Sequence, residues 1–303
     1  MVRVRRETSL RHPPSSILHS RFRSHAFTLL ELSVFIVILV ILASIFVPYV
    51  HSIREANNRV RCVDNLAKIQ SALTLYAAAN NGLYPSVRQA KGIAGHTAYS
   101  GAAADVDPFA EASAVKENDV TASLWLLVRE GFAGAEIFVC PSTAGTPQPV
   151  TAAVEQWGNF SSMDHLGYSY ASPFSILPDY RLNGDRLQPE FAVVADMNPG
   201  VSPSGKHDVV TPSHRDKPSM LTRANSRNHG KAGQNVLFGD GHVEFTVTPY
   251  CGYGGDNIYT TLRETRILSP EKPDANGNGV LNPNVGPAWY SDSYLVPIAS
   301  QEY

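Results

Sequence analysis

From Ala26 to Val50 the chain reads AFTLLELSVFIVILVILASIFVPYV, an apolar run broken by one charge, Glu31. As a helix, the 24 residues from Phe27 to Val50 would measure roughly 36 Å. A bilayer core is about 30 Å thick, so the pattern predicts a membrane-spanning segment over 27–50. The run is too long for a secretory h-region, and no A-x-A site follows it. The helical pattern then continues. Ile53, Ala56, Val60, Val63, Leu66, Ala67, Ile69, Leu73, Leu75 and Tyr76 recur at spacings of three and four, which predicts one apolar face. Arg54, Glu55, Arg59, Arg61, Asp64 and Lys68 are expected on the wet face. Asn80-Asn81-Gly82, with Pro85 close behind, predicts the stop. One helix is expected over 27–80, with Pro48 inside it and its first half in the membrane.

Periodicity weakens after Tyr84. Residues 86–119 are rich in Ala and Gly and predict a long loop. Thr121–Glu130 reads as a short helix ending at Gly131. Tyr168–Tyr170, Phe191–Ala195 and Gln234–Phe238 are strand candidates by β-rich content. Phe238-Gly239-Asp240-Gly241-His242-Val243 predicts a tight hairpin with Asp-Gly at its turn. The tail from Pro249 onward is rich in Gly, Asn and Pro and is expected to be mostly irregular.

Charge changes the picture at the N-terminus. The chain has 303 residues, 25 Lys+Arg and 27 Asp+Glu, for a net charge of -2. That balance excludes a generally basic nucleic-acid binder. Residues 1–26 nonetheless hold six arginines and one acid, a local charge of +5. With Pro13 and Pro14 among serines, they read as a cytosolic leader and not as part of a fold. Three arginines follow the apolar run within 15 residues, so the basic bias puts the N-terminus in the cytoplasm and the bulk outside. A hydrophobic content of 43% is enough for a packed head. Three cysteines exclude a disulfide-dense scaffold, and no C-x-x-C pair points to a Cys-rich zinc site.

Glu31 is the residue that does not belong in its surroundings. A carboxylate at the centre of a membrane helix costs roughly 2.5–3.5 kcal/mol on insertion scales, less near the end, and such a charge marks a waiting partner. Phe27-Thr28-Leu29-Leu30-Glu31-Leu32, after a basic leader and before an apolar run, resembles the prepilin motif of type IV pilins and type II secretion pseudopilins. The resemblance implies that prepilin peptidase cuts between Ala26 and Phe27 and methylates the new Phe27 amine. It implies that Glu31, fifth in the mature chain, meets the N-terminal ammonium of a neighbouring subunit during assembly. Pro48 stands where many members carry a helix-kinking proline. The family strongly prefers Gly where Ala26 stands. Asn65-Leu66 through Tyr84-Pro85 is similar to a stretch common in pseudopilins.

A second resemblance covers the head. Phe138–Ser142, Tyr168–Tyr170, Ala195-Asp196 with Asn198–Gly200, Asn228-His229 and Asp240-Gly241-His242 resemble a pseudopilin-like family abundant in planctomycetes and marked by an H-x9-DG motif. Here ten residues separate His229 from Asp240. Together the resemblances imply an α+β, pilin-like fold: a basic leader over 1–26, a long helix over 27–80, and an extracytoplasmic head over 81–303 on a small antiparallel sheet with long loops. The partners implied are prepilin peptidase, other pseudopilin subunits through the N-terminal helix, and the bacterial inner membrane, with the head periplasmic and no nucleic acid bound.

Candidate chemistry in the head is sparse. His229, Asp240 and His242 are the residue types that hold zinc or iron, but Asp240 is also what a hairpin turn asks for. Asp274, Asn276 and Asn278, with Gly279, resemble the front of a calcium loop, although Val285 stands where an EF-hand needs its bidentate acid. A looser calcium site and a plain Asn-Gly turn cluster both fit. In a head outside the cytosol one cysteine pair is expected, and Cys62–Cys140 would staple helix to head; a buried free Cys140 is the alternative. There is no G-x-S-x-G, H-E-x-x-H or P-loop, so no enzymatic activity is expected. A rival reading uses 27–50 merely as the anchor of an extracytoplasmic ligand-binding or hydrolytic domain.

Overall fold

The computed structural model describes residues 28–91, 95–96, 99–101, 107–149, 156–175, 177–200, 217–262, 279–280 and 286–296. The chain divides into two units, one ending at His51 and one beginning at Ser52.

Helix α1 spans Leu29–Ala79 and runs through Pro48. It begins two residues later than the pattern predicts because Thr28 caps it. Throughout the first unit the described side chains are exposed or nearly so, the apolar ones included: Phe35, Ile38, Leu42 and Phe46 all face outward. This part is long and apolar enough to cross a membrane. The helix ends where expected. Asn81 and Gly82 take positive φ, and Gly82 N–H donates to the Ala77 carbonyl at 2.8 Å.

In the second unit, α1 buries Cys62, Leu66, Ile69, Leu73 and Tyr76, spaced at three and four. Two expectations about this helix need correction. Ile53, Val60 and Leu75 are exposed, and Glu55 is not on the wet face but half-buried against the head. The buried stripe extends backward from Cys62 to Asn58 and Glu55, and these polar side chains lie on it because the head offers them polar partners. Helix α2, Val120–Arg129, packs into the same core through Leu124, Trp125 and Leu127. Asp119 caps it, accepting from Ala122 N–H at 2.8 Å and Thr121 Oγ1 at 2.9 Å.

The head's main sheet has five antiparallel strands: β1 Tyr168–Ala171, β2 Ala192–Asp196, β3 Gln234–Phe238, β4 Val243–Thr246 and β7 Leu295–Val296, in the order β4-β3-β2-β1-β7. Strands β5, Thr261–Leu262, and β6, Gly279–Val280, form a separate pair. The fold is therefore α+β and pilin-like, a long N-terminal helix on a small antiparallel sheet. Side chains sort to two faces by strand alternation, except in β2, where a register shift between Ala192 and Val194 puts these two on opposite faces. Leu237, Val194 and Val296 join the core that holds α1 and α2. Val236, Phe238, Ala192, Ala195 and Leu295 face a second cluster with Ile258 and Tyr259. Both faces being covered explains why β2 and β3 read as short apolar runs without alternation. The tail is less irregular than expected, since β7 completes the sheet edge beside β1.

Candidate functional site

Thr28 and Glu31 close the start of α1 upon itself. Glu31 N–H donates to Thr28 Oγ1 at 3.2 Å, and Glu31 Oε2 accepts from Thr28 N–H at 2.9 Å and Thr28 Oγ1 at 3.0 Å. This reciprocal arrangement is a capping box, which satisfies two of the backbone donors that every helix start leaves open. The T-x-x-E spacing within the prepilin-like motif is its sequence signal. Ala26 and Phe27 lie outside the described residues.

A second site lies inside the head. Ligand atoms of Cys62, Cys140, Asp196 and His229 all fall within 4.8 Å of one another, and all four residues are buried. Cys62 comes from α1, Cys140 from the loop after a short 3-10 turn at Ala135–Phe138, Asp196 from the end of β2, and His229 from the turn before β3. Gly230 and Lys231, both at positive φ, bend that turn, and Ala232 N–H closes it on the His229 carbonyl at 3.2 Å. Gly167 lets the Cys140 segment approach: a Cβ there would lie 2.4 Å from the Cys140 nitrogen.

Cys62 Sγ stands 3.4 Å from Cys140 Sγ, 3.1 Å from Asp196 Oδ1 and 3.1 Å from Tyr168 Oη. Cys140 Sγ lies 3.7 Å from His229 Nε2, which is 3.2 Å from Asp196 Oδ2. Both thiols are free. Donors surround the carboxylate. Asn235 N–H reaches Asp196 Oδ2 at 2.6 Å and Asn235 Nδ2 reaches it at 3.1 Å, while Asn228 Nδ2 donates to Oδ1 at 3.1 Å. Asn235 Nδ2 also lies 2.9 Å from His229 Nε2. On the other side of the ring, His229 Nδ1 is 2.6 Å from Glu55 Oε1. Glu55 is itself held by Ser142 Oγ at 2.8 Å and Arg59 Nε at 3.4 Å.

Electrostatics divide the two sulfurs. The hydrogen bond from Cys62, with His229 adding to it, holds the Cys140 thiol below its usual value against the cost of burial. Burial first, then the Cys140 hydrogen bond, push Cys62 up. Burial opposes charge on His229, but its bonds to Asp196 and Cys140 outweigh that and lift it to about 10.

The residues singled out by sequence are thus partly regrouped. Cys62 and Cys140 do meet, as unbonded sulfurs. His229 joins them, but Asp240 and Gly241 sit in the β3–β4 turn, where Asp240 Oδ1 accepts from His242 N–H at 3.1 Å and pairs with His242 Nδ1 at 2.5 Å. Gly241, at φ 90°, completes that turn. Asp196, Glu55 and Asn235 belong to the site without having been singled out for it. Asp274, Asn276 and Asn278 lie outside the described residues.

The chain is similar over 70 residues, at 43% identity, to the type II secretion system core protein G of Pectobacterium carotovorum subsp. carotovorum, a match that covers 23% of this chain and 44% of that protein. It is 40% identical over 67 residues to the protein of the same name from Klebsiella pneumoniae, covering 22% of this chain and 47% of that one. The chain therefore spans less than half the length of the curated relatives it matches. No family model matches the chain, and no solved structure matches it.

Proposed function

We propose that this chain is a pseudopilin-like subunit of a type II secretion or type IV pilus-like filament. Prepilin peptidase would cut between Ala26 and Phe27 and methylate the Phe27 amine. The apolar half of α1 anchors the unprocessed subunit in the bacterial inner membrane, N-terminus in the cytoplasm and head in the periplasm, then packs among neighbouring helices in the filament. The head forms the surface and does no chemistry on a substrate.

The observation that carries this reading is Glu31. Its partner within the described chain is Thr28, on an otherwise apolar and exposed helix segment. A plain anchor has no need of an acid there. A positive group, the Phe27 amine of a neighbouring subunit, would complete its pairing. The partial likeness to type II secretion core protein G supports the same role.

Mass spectrometry of the N-terminal peptide from native membranes tests the reading. A peptide beginning at methylated Phe27 is expected. An intact Arg23-Ser24-His25-Ala26-Phe27 stretch would instead make 27–50 a static anchor for the head.

A further inference from the structure

We propose that Cys62, Cys140, Asp196 and His229 bind one zinc ion, which fastens α1 to the sheet of the head. The four ligand atoms belong to four separate elements yet lie within 4.8 Å of one another in a buried position. A tetrahedral zinc with Zn–S bonds of about 2.3 Å and Zn–N or Zn–O bonds of about 2.0–2.2 Å sets its ligand atoms roughly 3.3–3.8 Å apart. Cys62 Sγ–Cys140 Sγ at 3.4 Å, Cys140 Sγ–His229 Nε2 at 3.7 Å and His229 Nε2–Asp196 Oδ2 at 3.2 Å lie within a few tenths of those edges. Cys62 Sγ approaches the other carboxylate oxygen, Oδ1, at 3.1 Å, so the set would regroup around a single Asp196 oxygen on binding.

The surroundings fit a metal as well as the ligands do. Metal-bound histidines nearly always donate their other ring N–H to a carboxylate or carbonyl, which fixes the tautomer. Glu55 stands in that place, 2.6 Å from Nδ1, and leaves Nε2 turned toward the sulfur and the second carboxylate. Asn235 and Asn228 supply outer hydrogen bonds to Asp196. Two thiolates with an imidazole select zinc over the hard cations calcium and magnesium. Zinc binding would release the remaining thiol protons and the His229 Nε2 proton to solvent and change no oxidation state. A Cys62–Cys140 disulfide is the competing outcome. It would require the sulfurs to close from 3.4 Å to about 2.05 Å, and it leaves the His229 Nε2 beside them without a ligand role.

The full-length chain, purified in detergent without chelator or reductant, should carry about one zinc per chain by elemental analysis. Cys251→Ser, outside the cluster, should keep it. Cys140→Ser should lose at least about tenfold of the bound zinc, and Glu55→Gln should weaken affinity about 10–100-fold in chelator competition. Cobalt exchanged into the wild-type chain gives a readout that needs no variant to fold. A thiolate-to-cobalt charge-transfer band with intense tetrahedral ligand-field bands is expected, and a cobalt spectrum lacking the thiolate band would overturn the site. A Cys62–Cys140 disulfide in unreduced peptide maps of the native protein, or zinc far below one per chain, would overturn it too.

Discussion

Glu55 Oε1 lies 2.6 Å from His229 Nδ1, across 174 residues of sequence. The same carboxylate takes Ser142 Oγ through its other oxygen at 2.8 Å. One side chain of α1 therefore holds both the loop after Cys140 and the turn before β3. Charge-assisted bonds of this kind contribute about 1.5–3 kcal/mol each when buried and less when half exposed, as Glu55 is. Glu55→Gln should cost about 1–2 kcal/mol and lower the melting point of the full chain in detergent by about 2–4 °C per kcal/mol. An unchanged melt would mean that the pair contributes nothing to the fold.

Much of this architecture is legible in the chain, and the parts that are not share a physical cause. The long helix, its Asn80–Gly82 stop, α2 and β3 all carry local signals of period, cap or turn. Glu55 carries the opposite signal, since an acid among arginines reads as solvated; only the long-range pairing with His229 brings it inward. The buried site is hidden for the same reason. Cys62, Cys140, Asp196 and His229 have no ligand-type spacing, because the fold and not the sequence interval brings them together. The His229–Asp240 pattern ties together two residues that the structure puts to separate uses. Leu295–Val296 is too short to stand out, and it becomes a strand through its pairing with β1.

The capping box at Thr28 allows two roles of Glu31 to be separated. Thr28→Ala removes the cap and should cost the helix start about 1 kcal/mol, while leaving the carboxylate in place. Filament incorporation, measured by cross-linking into sheared or pelleted filaments, should survive in Thr28→Ala and fail in Glu31→Leu. Equal failure of both would assign Glu31 to helix initiation alone, and success of both would leave the acid without an assembly role.

Gly167 is required by a close approach of two backbones. Its N–H donates to the carbonyl of Phe138 at 2.7 Å, and a Cβ at this position would meet the Cys140 nitrogen at 2.4 Å. Backbone cannot give way as a flexible side chain can. Gly167→Ala should therefore destabilise the head by about 1–3 kcal/mol, read in urea melts of the full chain in detergent. Gly131→Ala serves as the comparison, since its added Cβ meets nothing within 4 Å and its cost comes from φ +77° alone. A Gly167 variant no less stable than the Gly131 one would show that the Cys140 segment yields freely.

Asp256 and Asp292 make the second face of the sheet sensitive to pH. Both are buried; Asp256 accepts from Ser293 N–H at 3.3 Å, while Asp292 accepts from Ala288 N–H at 2.6 Å and Thr261 Oγ1 at 3.0 Å. Burial first, and then the Asp292 charge, push the Asp256 carboxyl well above the usual carboxylate value near 4. The sign follows from proton counting. Below pH 4 both folded and unfolded chains hold this proton, so it leaves stability unchanged. As pH rises above 4 the unfolded chain releases it while the folded head retains it, and stability falls until the folded pKa is passed. Asp256→Asn keeps an acceptor for Ser293 and removes the titration. Relative to wild type at the same pH, the variant should gain about 1 kcal/mol, or about 2–4 °C, at pH 8. The difference between the two proteins should shrink toward pH 4. A difference that is constant from pH 4 to pH 8 would rule out Asp256 as the titrating group.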